Sequence, residues 1–226
     1  MSTHVLKTII FMSSAKDIQA PWGGPKRLGD GLLNHVKNFL QQRTAELGGE
    51  KITHEVTVFD PLEVFGKGGA LEESGAELKH PHHFFAPGKA PAGMDAMAKK
   101  IKEADCYVVV CAEYNHSIPP ALASMMGHFG GSNYACKPSA IIAYSAGPFA
   151  GARAAVALRP FLSELGCLPV SKMALFPSPN EYLEADGTVK DPDNRMLKQI
   201  PGVVTQLEWM AIAMKNQLAK YGPMSA

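Results

Sequence analysis

The sequence predicts an α/β fold in which helices cover both faces of one doubly wound parallel sheet. Short apolar runs alternate along the chain with segments whose apolar residues recur at helical spacing. Two of the runs, residues 105–112 and 139–145, are apolar almost throughout, which is typical of strands buried on both faces. Because strands separated by helices form parallel units with right-handed crossovers, a parallel sheet follows.

In chain order, the first predicted strand is residues 5–12, a β-branched run that ends at two serines. The first helix follows over residues 32–40, where Leu, Val and Phe recur at helical spacing. We expect Gly48 and Gly49 to close this helix. Residues 54–60 alternate between apolar and polar side chains, as a half-buried strand does.

The second half of the chain continues the alternation. Its elements, each identified by an apolar run or a helical stripe, are residues 105–112 (strand), 117–129 (helix), 139–145 (strand), 158–165 (helix), 173–176 (strand) and 203–218 (helix). Ser117 is the expected N-cap of the helix that it opens. The five strands fit a flavodoxin-like sheet of order 2-1-3-4-5. Because neither a repeat nor a linker is visible, we expect a single domain over residues 1–226.

The composition argues against several classes of protein. A net charge of +1 gives no electrostatic reason to expect nucleic acid or a membrane as a partner. Residues 1–4 lack the order of a signal peptide, and no apolar run is long enough to cross a bilayer. The four cysteines, Cys106, Cys111, Cys136 and Cys167, form no CxxC pair, and three of them lie in or beside apolar runs. We therefore expect reduced thiols and a cytoplasmic protein.

Ligands bind outside the carboxyl ends of the strands in an open parallel sheet, and the end of the first strand carries polar residues. Ser13-Ser14-Ala15-Lys16 follows this strand, and Arg27-Leu28-Gly29 comes after a Gly- and Pro-rich loop over residues 16–26. Hydroxyls, backbone amides and a helix N-terminus suit a phosphate monoester, and Lys16 or Arg27 adds positive charge. The alternative is that the serines act only as helix caps.

Two further strand ends carry residues that the fold alone does not require. Residues 112–119 read Ala-Glu-Tyr-Asn-His-Ser-Ile-Pro, a loop that can place backbone amides and an aromatic ring against a flat heterocycle. A purely structural turn is the alternative. Residues 145–153 hold two glycines and several alanines, which allow a ligand to approach the backbone. Arg153 opens the next helix, where the dipole disfavours a cation, so either an anionic or carbonyl partner or solvent faces it.

At these three segments the chain resembles the NADPH-dependent FMN reductase family, the flavodoxin-like reductases that include quinone, azo and chromate reductases. Residues 13–16 are similar to the family's Gly-Ser-x-Arg phosphate loop. Residues 112–119 are similar to its Pro-Glu-Tyr-Asn-(Gly or His)-Ser-x-Pro flavin loop, with alanine in the leading position. Residues 147–160 are similar to its Gly-rich loop and the Leu-Arg-Pro that follows. The resemblance covers roughly residues 5–176.

The resemblance implies FMN and NADPH (or NADH) as cofactors, together with a small-molecule electron acceptor such as a quinone or a flavin. The residues it implies at the FMN phosphate are Ser14, Lys16 and Arg27. Those implied along the isoalloxazine ring are Glu113, Tyr114, Asn115 and Ser117, with Ser145, Gly147 and Phe149 on its other side. The predicted cofactor-binding set is completed by Leu28, Gly29, His116 and Arg153. No catalytic side chain is expected, because the flavin carries the chemistry.

The family also implies a homodimer or homotetramer, for which the apolar stripes over residues 122–129 and 203–218 are candidate contacts.

Two other functions are possible alternatives to the reductase. A flavodoxin-type electron carrier is usually strongly acidic, whereas this chain is close to neutral. A flavin-binding regulatory module without turnover has no need of an intact Glu-Tyr-Asn loop. His80-Pro81-His82-His83 has no partner at metal-ligand spacing, so we interpret residues 65–93 as a polar loop rather than a metal site.

Overall fold

A computed structural model of the chain describes residues 3–21, 23–75 and 77–223. Met1 and Ser2 of the N-terminal segment, and Trp22 and Ala76 of the two predicted loops, lie outside these residues. The strands are β1 (Thr3–Met12), β2 (Ala45–Leu47), β3 (Glu50–Phe59), β4 (Cys106–Ala112), β5 (Lys137–Ser145) and β6 (Cys167–Pro177). The helices are α1 (Asp30–Gln42), α2 (Pro61–Val64), α3 (Ala92–Glu103), α4 (Pro120–Gly127), α5 (Ala152–Glu164) and α6 (Gln199–Tyr221).

The sheet confirms the predicted fold and corrects its strand count. Five parallel strands lie in the order β3-β1-β4-β5-β6, which is the predicted order 2-1-3-4-5. A sixth strand, β2, pairs antiparallel with β3 at the edge of the sheet. Gly48 and Gly49 do not close α1, which ends at Gln42, but form the turn between β2 and β3 with φ of 60° and 83°. Positive φ at both central residues fits the type I′ turn that two-residue hairpins favour.

Alternate residues of the strands pack against opposite helix layers. Leu6 and Ile10 of β1 pack in a cluster with α1 and α6, whereas Ile9 and Phe11 pack with α3, α4 and α5. All seven residues of β4 are buried, as we predicted for this apolar run. The sheet therefore lies between two helix layers, and its loops are left at its two ends.

Much of the two apolar stripes that we considered for contacts between subunits belongs to the core. Leu122, Met125 and Phe129 around α4 are almost fully buried, and so are Val203 and Leu207 of α6. Met210, Met214 and Leu218 further along α6 are half-buried. A contact between subunits through these stripes stays a prediction.

The segment over residues 65–93 is held to the body of the protein at several points. Before α3 begins at Ala92, its described residues contain one short 3₁₀ helix, His82–Phe84, and no other regular helix or strand. The backbone N–H of His82 donates to the His128 carbonyl at 2.7 Å, and His82 Nε2 lies 2.8 Å from Asp95 Oδ1. Leu71 is fully buried. The loop is polar, as predicted, but it is anchored to the helices beside it.

The cysteines are free, as the sequence predicted. Burial raises the pKa of Cys106, Cys111 and Cys167 to about 12, so these thiols stay protonated and unreactive at neutral pH. They therefore serve as small apolar groups in the core.

Among the helices of the described residues, none combines the length and the apolar character needed to cross a membrane.

Candidate functional site

The carboxyl ends of β1, β4, β5 and β6 surround a cavity of about 550 Å³. The predicted residues that line it are Ser14, Lys16, Leu28, Glu113, Tyr114 and Ser145. It lies at the edge of the sheet where doubly wound folds bind ligands, and its volume is in the range of pockets for cofactor-sized molecules. The site thus brings together the three strand ends that the sequence identified.

The serines after β1 connect this strand end to the loop after β4. Ser13 Oγ accepts a hydrogen bond from the backbone N–H of Ala112 at 2.7 Å. Ser14 is nearly fully buried, and its hydroxyl lies 2.7 Å from the hydroxyl of Tyr114. Neither serine caps α1, whose N-cap position is taken by Gly29 without a side-chain hydrogen bond. The alternative of simple helix caps is therefore excluded for these two residues.

Arg27 is buried behind the loop rather than open to the cavity. Its guanidinium forms a bidentate pair with Asp60, with N–O distances of 2.7 and 2.6 Å. It also donates to Asp30 Oδ1 at 2.6 Å and to the Ser14 carbonyl at 2.9 Å. Burial alone would lower the pKa of Arg27, but the hydrogen bonds to Asp60 outweigh it and raise this pKa, so the side chain stays charged. Arg27 therefore fixes the backbone of the predicted phosphate loop.

Lys16 is the cation that faces the cavity. Among the described residues that line this space, it carries the one positively charged side chain, and its Nζ lies 2.5 Å from the Lys26 carbonyl. Its backbone N–H donates to Ser14 Oγ at 3.3 Å. A second cavity of about 510 Å³ lies beyond Lys16 and Tyr114, so these two side chains form part of the wall between both spaces.

The loop after β4 is a tight turn that presents an aromatic ring. Tyr114 and Ser117 exchange two backbone hydrogen bonds, at 3.1 and 2.8 Å. Asn115 and His116 between them have φ of 50° and 61°, so they form a type I′ turn. Ser117 is consequently not the N-cap that we expected, and α4 begins only at Pro120. The turn leaves 38% of the Tyr114 surface exposed, whereas Asn115, His116 and Ser117 do not line the cavity.

Replacing His116 by glycine is expected to raise the free energy of unfolding by about 0.5–1 kcal/mol. A non-glycine residue in the left-handed region is strained, and type I′ turns favour Asn-Gly. Urea unfolding of the protein without cofactor measures the change. His116→Ala is the matched control, because it removes the imidazole but keeps the Cβ that causes the strain. A glycine variant less stable than the alanine variant would contradict the assignment of this turn.

Glu113 joins the loop after β4 to the start of α5. Its carboxylate accepts hydrogen bonds from the backbone N–H and from Nε of Arg153, at 3.0 and 2.7 Å, and also contacts Arg153 Nη2. These hydrogen bonds hold the pKa of Glu113 below its ordinary value. The anionic partner that the sequence indicated for Arg153 is therefore a side chain of the same protein. Arg153 also lies over the exposed ring of Phe149, 4.5 Å from its centroid.

The loop after β5 is held by hydrogen bonds from the end of β6. Ser178 donates from its backbone N–H to the Ser145 carbonyl at 2.8 Å and from its hydroxyl to the Ala146 carbonyl at 2.9 Å. A Cβ at Gly147 would meet no atom within 4 Å, so space beside this glycine is open. Gly151 has φ of 77°, and a Cβ there would lie 2.7 Å from the Tyr144 backbone nitrogen. Gly151 thus serves the packing of the loop on β5.

Several residues around the cavity were not identified from the sequence. They are Ala20, Gly23, Gly24, Pro25, Ala112, Tyr144, Ala146, Ser178, Asn180 and Glu181. Ser178, Asn180 and Glu181 could have been predicted from the sequence, because they follow the fifth strand at the same edge of the sheet. Tyr144 could not, since it lies inside an apolar strand and its sequence context does not differ from that of a core residue. Of the predicted residues outside the lining, Gly29 packs against Tyr144, while Arg27 lines a separate space of about 200 Å³.

The residues around the cavity fit a flat aromatic ligand with a phosphate monoester. Tyr114 offers an exposed ring for stacking, and Lys16 offers a positive charge. A Cβ at Gly23 or Gly24 would meet no atom within 4 Å, so there is room beside the loop after β1. The donor set is hydroxyl, ammonium and backbone, which suits phosphate and ribityl oxygens.

A comparison with protein families supports this fit. The sequence profile of the NADPH-dependent FMN reductase family matches residues 8–180. Comparison with curated protein sequences gave no match.

Solved structures share the fold at low sequence identity. FerB from Paracoccus denitrificans, described as a flavoenzyme NAD(P)H:(acceptor) oxidoreductase, has a TM-score of 0.62 and 18% identity, over 91% of this chain and 97% of its own. An oxidoreductase from Corynebacterium diphtheriae has a TM-score of 0.59 and 13% identity, over 92% of this chain and 98% of its own. The apo form of the NADH:FMN oxidoreductase EmoB has a TM-score of 0.53 and 13% identity, over 92% and 89%.

Proposed function

The chain belongs to the NADPH-dependent FMN reductase family, and from this premise we propose that it passes electrons from NAD(P)H through FMN to a quinone, a flavin or a similar small acceptor. The observation that carries the proposal is the cavity at the carboxyl edge of the sheet, where Lys16 and Tyr114 face the same space. When bound, FMN supplies the hydride and electron chemistry. The side chains of this protein bind and orient it and exclude water.

Lys16 is the side chain that we assign to the phosphate. It is the cation on the cavity wall, whereas the guanidinium of Arg27 is occupied by Asp60 and Asp30. Arg27 then supports the phosphate site indirectly, because its hydrogen bond to the Ser14 carbonyl fixes the backbone that carries Ser14 and Lys16. The positive charge of the phosphate loop is therefore divided between Lys16, which is half-buried on the cavity wall, and Arg27, which is buried.

Tyr114 is the residue that we assign to the ring of the flavin. Two contacts hold the Tyr114 loop in place: the hydroxyl pair with Ser14 and the pairing of Glu113 with Arg153. A ring that is fixed before the ligand arrives loses little further entropy on stacking. Contacts of Asn115, His116 and Ser117 with the flavin stay predictions.

An absorbance spectrum of the purified protein after incubation with FMN, taken before and after anaerobic NADPH, tests the proposal. We expect a flavin band that stays with the protein through gel filtration, bleaches with NADPH and returns when a quinone is added. A band that NADPH does not bleach would instead indicate an electron carrier. Absence of bound flavin would leave a binding module with another ligand.

Two lysine variants show whether the binding uses the assigned site. Lys16→Ala is expected to weaken FMN binding about tenfold or more, since a charge-assisted contact to phosphate is lost. Lys26→Ala is the matched control, because this exposed lysine lies in the same loop and pairs only at 3.5 Å with exposed Asp17. Equal affinities of the two variants would contradict the role of Lys16. The single domain, the homodimer or homotetramer and the cytoplasmic location stay predictions.

A further inference from the structure

Ser178, directly after β6, holds two neighbouring peptide groups of the loop after β5. Its backbone N–H donates to the Ser145 carbonyl at 2.8 Å, and its hydroxyl donates to the Ala146 carbonyl at 2.9 Å. The Gly147 carbonyl is occupied as well, since it accepts from the Ser145 hydroxyl at 3.0 Å and from the Ala150 N–H at 3.3 Å. Three successive carbonyls of this loop therefore have partners within the protein.

The backbone N–H groups of the same loop show the opposite pattern. Among the described residues, none accepts a hydrogen bond from the N–H of Ala146 or from that of Gly147. These two N–H groups share peptide planes with the carbonyls of Ser145 and Ala146, which Ser178 holds. Because the N–H and the C=O of a trans peptide point in opposite directions, holding the carbonyls also fixes the N–H groups. Ser178 thus sets the orientation of both donors.

The backbone of Ser178 is strained, which supports a functional role. Its φ of 41° and ψ of 56° lie in the left-handed region, which is unfavourable for a residue with a Cβ. Positive φ also occurs at other non-glycine residues, of which none among the described residues lines the candidate FMN cavity, as Ser178 does: Asn115, His116, Cys136 and Ala150. Strained residues cluster at ligand sites, where the surrounding structure enforces their conformation.

We propose that Ser178 is a positioning residue for FMN, because it fixes the two peptide groups whose N–H groups, those of Ala146 and Gly147, donate to the isoalloxazine ring. This role rests on the proposed function, because FMN is the ligand. Ser145 and Ala146 line the cavity together with Ser178, so the loop that Ser178 holds forms part of the cavity wall. Donors that are fixed in advance stabilise the negative charge that the ring gains on reduction.

The midpoint potential of bound FMN tests this role in Ser178→Ala, which loses the hydroxyl and frees the Ala146 carbonyl. The affinity for reduced FMN is expected to fall about fivefold more than the affinity for oxidised FMN, the effect of about one hydrogen bond. For a two-electron couple this lowers the midpoint potential by about 20 mV, since a tenfold change corresponds to about 30 mV. Equilibration with a reference dye measures the potential, and fluorescence quenching measures the dissociation constant of oxidised FMN.

Ser178→Gly separates this role from a purely structural one. It lacks the same hydroxyl, but glycine adopts the left-handed region without strain. Its thermal midpoint without FMN is therefore expected to exceed that of Ser178→Ala, whereas the midpoint potential of its bound FMN falls by the same amount. The inference is overturned if Ser178→Ala keeps the potential of the wild type, or if glycine restores it.

Ser171→Ala is the matched control. It removes another serine hydroxyl, which accepts from Gln206 Nε2 at 2.6 Å on β6 and does not line the cavity. We expect the midpoint potential of its bound FMN to equal that of the wild type. A shift as large as that of Ser178→Ala would also overturn the inference. A wild type that binds no FMN would refute the proposed function itself, which is a different result from any of these.

Discussion

Asp60→Ala is expected to lower the free energy of unfolding by about 3–5 kcal/mol, the range for removing one partner of a buried ion pair. Asp60 accepts both hydrogen bonds of the bidentate pair with Arg27, whose surface is only 7% exposed. Without Asp60 the buried guanidinium keeps only Asp30 as a charged partner. The same carboxylate accepts the Leu62 backbone N–H at 2.9 Å as the N-cap of α2, so this cap is lost as well.

Urea unfolding without cofactor measures this loss of stability. Two further variants show how much of it comes from the charge of the buried ion pair. Asp60→Asn keeps an oxygen for the cap but removes the charge, so its loss is expected to be smaller than that of alanine. Asp17→Ala breaks the exposed pair with Lys26 in the loop over residues 16–26 and is expected to change stability by less than about 0.5 kcal/mol. If Asp60→Ala and Asp17→Ala unfold at similar urea concentrations, the pair between Asp60 and Arg27 does not stabilise the fold and the prediction is contradicted.

The Asp60 variant also has a consequence for the site. Because Arg27 donates to the Ser14 carbonyl, loosening the guanidinium loosens the backbone between Ser14 and Lys16. We therefore expect Asp60→Ala to bind FMN more weakly than the wild type, even though Asp60 does not line the cavity.

Glu208→Ala is expected to lower the free energy of unfolding by about 3 kcal/mol, since it removes the centre of a buried polar network. Arg43 donates to both carboxylate oxygens of Glu208, at 2.6 and 2.8 Å, and His54 Nε2 lies 3.0 Å from one of them. His54 Nδ1 in turn lies 2.8 Å from the Thr8 hydroxyl. The network joins α6 to β1, β3 and the end of α1, so its loss also loosens the last helix.

The pH dependence of this network has a definite sign. Burial alone would raise the pKa of Glu208, but the hydrogen bonds from His54 and Arg43 outweigh it and hold the pKa below its ordinary value of 4.5. The folded state therefore binds fewer protons than the unfolded state just below pH 4.5, and the stabilisation is lost as the pH falls through the folded pKa. The difference in free energy of unfolding between the wild type and Glu208→Gln should be constant well above pH 4.5 and should narrow as the pH falls below 4.5.

Unfolding curves collected between pH 7 and pH 3 test both the loss of stability in Glu208→Ala and the pH dependence of the difference between the wild type and Glu208→Gln. Glu164→Ala serves as the control, because this exposed glutamate ends α5 and its loss is expected to change stability by less than about 0.5 kcal/mol. A stability gap that widens towards low pH would contradict the assigned direction of the Glu208 pKa.

The sequence by itself determined the order of the five parallel strands and of the helices α1, α4, α5 and α6, and the edge of the sheet that carries the site. The helices α2 and α3 were not among the predicted elements. Hydrophobic periodicity depends only on residues that are neighbours along the chain, so the alternation of runs and stripes is visible before folding. The loop over residues 112–119 was visible for the same reason, because its polar residues are consecutive. The extra hairpin strand was missed because a Gly-Gly pair signals both a helix end and a turn.

Only the tertiary structure decided which polar groups meet. Arg27 and Asp60 lie 33 residues apart, and Glu113 and Arg153 lie 40 residues apart. Spacing along the chain carries no information about such pairs, since strand order and register set them. The structure pairs Arg27 and Arg153, two candidate ligand-binding cations, with the carboxylates of Asp60 and Glu113, and it places Lys16 on the wall of the cavity. It also brought Tyr144 beneath Gly29, because strand β5 and the start of α1 become neighbours only when the sheet is assembled.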